Sequence, residues 1–194
     1  MKHALLALAL ALGTSTAAQA AAAPIASWSC TAGITGCSFA GDDAFPDEWQ
    51  YWQTDTAWWT GFADSVTYTL SAPAAIGGLT VSLDNNDSYV IEGSLDGNDW
   101  TTMLFVGAFN GNVGGGMDTF STIASDPFYD ASVAATFNPM TASLVRITSV
   151  DGDALNSVGE LALAAVPEPS AWMLMAAGLA GLGLARRRGL APQR

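Results

Sequence analysis

In the body of this chain apolar residues recur at every second position, in short runs, and nowhere as a sustained stripe of period 3.6. That restricts the fold to sheets. Successive side chains of a strand point to opposite faces, whereas a helix needs apolar residues three and four apart. Val66, Tyr68 and Leu70 share one face of a run over 65–70, and Leu79, Val81 and Leu83 repeat the pattern. Further strand-like runs cover 89–94, 100–106, 144–149 and 160–164. Clusters of Gly, Asn, Asp and Pro separate them, and the glycine-rich stretch 111–116 reads as a flexible loop. Residues 24–165 are enough chain for one ordinary core and contain no internal repeat. The expectation is one all-β domain, an antiparallel jelly-roll sandwich.

Charge excludes several functions for that domain. Between 24 and 166 there are 17 acidic residues against Arg146, a balance of −16, with no lysine and no histidine. A polyanion binder needs a basic surface, so nucleic acid is excluded as a partner. A Ser-His-Asp or Cys-His hydrolase needs an imidazole, and the chain's histidine, His3, lies in the leader. Paired carboxylates for glycoside hydrolysis need about 5–9.5 Å across a cleft. So many acids make a pair easy to imagine and assign none, so the expectation is no enzyme.

Both ends read as targeting segments. Residues 1–23 form a secretory signal peptide, expected as a helix. Lys2 and His3 give a positive start, 4–12 is an apolar run too short to span a bilayer, and Ala18-Gln19-Ala20 is a small-x-small cleavage site. In an exported protein Cys30 and Cys37 are expected to form a small-loop disulfide, with two separate thiols as the alternative. At the other end Val166-Pro167-Glu168-Pro169-Ser170 precedes an apolar run over 171–185 and then Arg186, Arg187 and Arg188. Fifteen helical residues reach roughly 22 Å, a short transmembrane span with Trp172 at one interface and arginines held cytoplasmic at the other.

This tail (166–194) closely resembles the PEP-CTERM sorting signal, with all three parts in the right order. The resemblance implies a Gram-negative protein exported through the inner membrane and transiently anchored there. An exosortase, a transpeptidase-like membrane protease, would process it around Val166, Pro167, Glu168 and Pro169. Release or transfer to the cell surface or extracellular matrix would follow.

A second resemblance covers roughly 60–165. The stretch 79–100 runs through two strands to Ser94, Asp96, Gly97 and Trp100, and later come Arg146-Ile147 and Glu160-Leu161. Both resemble the discoidin, or coagulation factor 5/8 type C, family, whose fold is galactose-binding-like. The segment 25–61 departs from the pattern. On their own chemistry, Asp96-Gly97 suits a tight turn, and Trp100 is expected in the core. Arg146 is expected to pair with a carboxylate such as Glu92 or Glu160, a substrate anion being the sharper alternative. The resemblance implies glycan or lipid binding through loops at one end of the sandwich. It also implies a structural Ca²⁺ between an early loop and Glu160.

Two clusters carry candidate chemistry. Trp49, Tyr51, Trp52, Trp58 and Trp59, with Phe45, are either a carbohydrate platform or aromatic packing that seals the sandwich. Asp42, Asp43 and Asp47, with Glu48 beside them and Glu160 brought near by the fold, are either hard oxygen ligands for Ca²⁺ or a solvated acidic loop. The run Asp84-Asn85-Asn86-Asp87 lacks the glycine and terminal glutamate of an EF-hand. The leading expectation is an exported carbohydrate-binding or adhesion module acting on extracellular polysaccharide. The alternatives are a structural matrix protein without a small ligand, and a glycoside hydrolase.

Overall fold

A computed structural model describes residues 21–111, 115–166 and Gly178. Residues 21–166 form one compact unit. Most of the expected leader, the motif Pro167-Glu168-Pro169, the expected anchor helix and the arginine cluster lie outside the described residues. Among the described residues no helix is long and apolar enough to cross a membrane.

Nine strands make up the described unit. They are β1 (Ala21–Ala22), β2 (Ile25–Cys30), β3 (Ala57–Thr60), β4 (Ser65–Asp84), β5 (Ser88–Ser94), β6 (Thr101–Val106), β7 (Met117–Ser121), β8 (Met140–Asp151) and β9 (Leu155–Ala165). All named strand pairs are antiparallel. A 3₁₀ turn, Cys37–Gly41, follows β2, and a single helical turn α1 (Ala131–Ala134) follows β7. Asp130 caps α1 by accepting from the amides of Ser132 and Val133 at 2.7 and 3.0 Å.

β4 determines the architecture. The sequence reads it as two runs, and the structure joins them into one long strand that changes partners along its length. Its first half pairs with β2 and β8, its second half with β7 and β9. Register shifts fall between Thr69 and Ala74 and between Ile76 and Gly78. Pro73 sits inside the first of these, where its missing N–H costs no ladder bond. The sheet therefore folds over on itself into two leaves, β2-β4-β8-β5-β6 and β7-β4-β9 with β1 and β3.

Both leaves drain into one core. Val66, Tyr68 and Leu70 face inward as their alternation requires, with Ile91, Leu104 and Ile147 from the same leaf. Val81, Leu161, Trp59 and Phe120 come from the other. Tyr89 on β5 links the two. Its ring meets Trp59 edge-on at 6.5 Å, and its hydroxyl accepts from the Ser157 amide on β9 at 3.0 Å. Sheet pairing starts at Ala21, so Ala21 and Ala22 pair with β9, and the sandwich begins three residues before Pro24, where the sequence reading opens the domain.

The Ser-x-Asp-Gly turn is built as its residues dictate. Ser94 Oγ accepts from the Gly97 amide at 2.9 Å, Asp96 accepts from Asn98 and Asp99, and Gly97 takes φ 80°. Trp100 corrects the core expectation. It is half-buried on the outer face, with the Arg146 guanidinium 4.2 Å over its ring. Arg146 itself bonds Glu92 Oε2 through Nε and Nη2 at 3.1 and 2.6 Å, because strand register places Glu92 opposite it. Its charge is therefore already matched within the protein. The disulfide joins Cys30 to Cys37, and Trp28 closes over that loop with Nε1 donating to the Cys37 carbonyl at 2.8 Å.

Candidate functional site

The aromatic cluster runs from the segment after the 3₁₀ turn into β3, and its loop part is stitched to β7 by backbone bonds. The Trp49 amide donates to the Met117 carbonyl at 2.9 Å, and the Met117 amide returns a bond to the Gln50 carbonyl at 2.9 Å. Glu48 Oε1 accepts from the Thr119 amide at 3.1 Å. Burial, then the adjacent Asp118 carboxyl, pushes Glu48 up to about 7.

These bonds hold Trp49 at φ 69°, a left-handed conformation that a bulky residue adopts only when its surroundings impose it. The imposed geometry turns the indole outward. Trp49 is 64% and Tyr51 61% exposed. Behind them Trp52 and Trp58 are half-buried, edge to face at 5.5 Å, and Tyr51 leans on Trp52 at 6.0 Å. The five expected platform residues therefore divide. Tyr51, Trp52 and Trp58 form a connected group reaching solvent, and Trp49 stands exposed on the same loop. Trp59, on the opposite face of β3 from Trp58, is fully buried and belongs to the core. Strand alternation is the reason, and it removes Trp59 from any ligand surface.

A cleft of about 170 Å³ opens beside the group, lined by Asp42, Phe45, Pro46, Asp47, Gln50 and Asp55. Rings presented to water next to carboxylate and amide groups match the two needs of a sugar, an apolar face and bonded hydroxyls. Phe109 was not picked out from the sequence. It is 69% exposed at φ 63°, with its amide on the Asn85 carbonyl at 2.7 Å. A lone aromatic between Gly107 and Gly111 was the available signal.

The expected calcium ligands do not assemble as a cage. Glu160 is brought to the early loop, as expected, but Oε2 accepts from the Asp43 amide and Oε1 from the Leu161 amide, both at 2.8 Å. Burial raises its pKa, with Asp42 and Asp43 adding and the two amides opposing. Asp42 and Asp47 line the cleft, and Glu160 is not among its lining residues. Among the described residues no three or more acidic, histidine or cysteine side chains converge to hold a metal. The donor set Asp42, Asp43, Asp47 and Glu160 therefore does not fit a bound Ca²⁺, because Glu160 acts as a brace on backbone amides.

Known proteins resemble this sandwich. A truncated AlyQ with CBM32 and alginate lyase domains superposes with a TM-score of 0.51 at 13% identity, over 78% of this chain and 35% of that one. The chain thus spans about a third of that structure's length. The CBM32 of AlyQ in complex with 4,5-unsaturated mannuronic acid gives 0.49 at 12% identity, over 74% and 97% of the two chains. CpGH89CBM32-5 from Clostridium perfringens, in complex with GalNAc-β-1,3-galactose, gives 0.42 at 18% identity, over 74% and 99%. The first of these likenesses shows the fold alone, an antiparallel β-sandwich. Residues 165–188 match the PEP-CTERM protein-sorting motif, which marks export with a transient C-terminal membrane anchor. No curated protein matches the chain.

Proposed function

We propose that this protein is a non-catalytic carbohydrate-binding or adhesion module delivered to the cell surface or extracellular matrix of a Gram-negative bacterium. The tail is processed by an exosortase-type membrane protease at Pro167-Glu168-Pro169, after Arg186, Arg187 and Arg188 have held it in the inner membrane. Trp49 and Tyr51 then contact sugar rings, backed by Trp52 and Trp58. The observation that carries the reading is the display of Trp49, mostly exposed and held in a left-handed backbone conformation. An indole that served only packing would be turned inward and would need no such geometry. The surplus of acidic residues favours uncharged polysaccharides over polyuronates, which it repels.

The test passes the full chain, in mild detergent, over immobilised neutral and acidic polysaccharides. Retention is expected on a neutral polymer and is expected to weaken at least about tenfold in the Trp49→Ala, Tyr51→Ala pair, as removal of aromatic anchors does. Unchanged retention in that pair removes the platform. Absence of retention on every polymer removes carbohydrate binding and leaves a matrix role without a glycan ligand.

A further inference from the structure

The run Asp84-Asn85-Asn86-Asp87 joins β4 to β5, and Asp151-Gly152-Asp153 joins β8 to β9. Because Ser88 pairs with Asp151, the two turns lie side by side. Gly152, at φ 126°, lets them touch: a Cβ there would stand 2.0 Å from Asp87 Oδ1. That oxygen accepts from the Ala154 amide at 3.3 Å. Asp153 Oδ1 accepts from the Leu155 amide and its Oδ2 from Asn86 Nδ2, each at 2.9 Å. Asp87, Asn86 and Asp153 therefore meet.

What they lack is a donor. Asp87 is 1% exposed, yet its Oδ2 has no hydrogen-bond partner, and neither has the buried Oδ1 of Asn86. Asn85, 2% exposed, leaves its Oδ1 acceptor and its Nδ2 donor both unpartnered. Unmet buried acceptors cost several times what an ordinary hydrogen bond gains. The surrounding charges are Asp84, Asp151 and Asp153, all negative, and the one cation in 24–166, Arg146, is committed to Glu92. Burial first and these neighbours second push Asp84 up to about 7 and Asp87 to about 6. A water molecule would satisfy the acceptors and leave the charge uncompensated. A hard cation would do both.

We propose that the paired turns form a divalent-cation site of the calcium class, with the Asp87 and Asp153 carboxylates and the Asn86 amide oxygen as protein ligands. Two carboxylates balance the ion's charge. Asp84, 2% exposed, stands behind them. Asp153 is exposed, which gives the ion a path from solvent. Calcium suits an irregular set completed by water, whereas magnesium requires near-octahedral order. The site shares no residue with the Glu160 brace and does not depend on the carbohydrate reading.

The full chain in mild detergent, stripped with EDTA and dialysed, is titrated with Ca²⁺ by calorimetry and melted with and without the ion. One ion per chain and a higher Tm are expected. Asp153→Asn, at an exposed position, should keep the metal-free Tm and weaken calcium binding at least tenfold. The Asp42→Asn, Asp43→Asn pair should leave binding unchanged. No heat and no Tm change at millimolar Ca²⁺ would overturn the proposal. So would loss of binding in the Asp42, Asp43 pair rather than at Asp153, or an equal Tm gain from Mg²⁺, which would mean diffuse screening.

Discussion

Trp58 and Trp59 are adjacent in sequence and opposite in fate, and substitution separates them. Trp59 is fully buried in the core and meets Tyr89 at 6.5 Å. Truncation to alanine removes a complete aromatic side chain and leaves a cavity, a loss of about 3–5 kcal/mol. Part of that is the edge-to-face contact, about 0.5–1.5 kcal/mol. At about 2–4 °C per kcal/mol for a unit of this size, Tm should fall by roughly 6–20 °C. Trp59→Phe should lose much less, because the indole Nε1 has no hydrogen-bond partner to forfeit. Trp49→Ala, at a position 64% exposed, should change stability by no more than about 0.5 kcal/mol. Urea unfolding followed by far-UV circular dichroism measures all three. A Trp59→Ala variant within about 1 kcal/mol of the parent would refute the placement of this ring in the core.

Two further outcomes follow from the same structure. Replacing Cys30 and Cys37 with serine opens a loop of sequence separation 7, worth about 2.5 kcal/mol on loop entropy, so Tm should drop about 5–10 °C; an unchanged melt in oxidising buffer would show that the bridge constrains nothing. Glu48 has a folded-state pKa raised to about 7 from 4.5, so the folded state holds its proton more tightly than the unfolded chain. Its contribution is complete below about pH 4.5 and is lost as pH rises through 7. In EDTA, Tm should therefore be lower at pH 8 than at pH 5, and Glu48→Gln should narrow that gap; a gap of the same width in the variant would sink this account of Glu48.

Local pattern made much of the fold legible. The alternating runs over 65–70, 89–94 and 144–149 became strands because the two-residue period is a property of the strand itself. The Asp96-Gly97 turn followed from the same local logic. β1 and β3 are too short for a pattern to stand out, β2 is exposed along most of its length and β7 is buried throughout, so neither alternates, and all four form through their partners β4 and β9. The candidate site was half legible. Composition located the aromatics, but only the face of β3 and the backbone of Trp49 decided which of them see water.

By itself the sequence determined an all-β body with a large negative charge ahead of a C-terminal sorting motif, since periodicity, charge and a local motif need no folding partner to be read. The tertiary structure decided that Arg146 takes Glu92 rather than Glu160, that Glu160 spends its oxygens on the Asp43 and Leu161 amides, and that the 84–87 and 151–154 turns lie side by side with buried polar atoms unmet. Those outcomes depend on strand order and register, which join residues dozens of positions apart and leave no trace in the neighbourhood of either one.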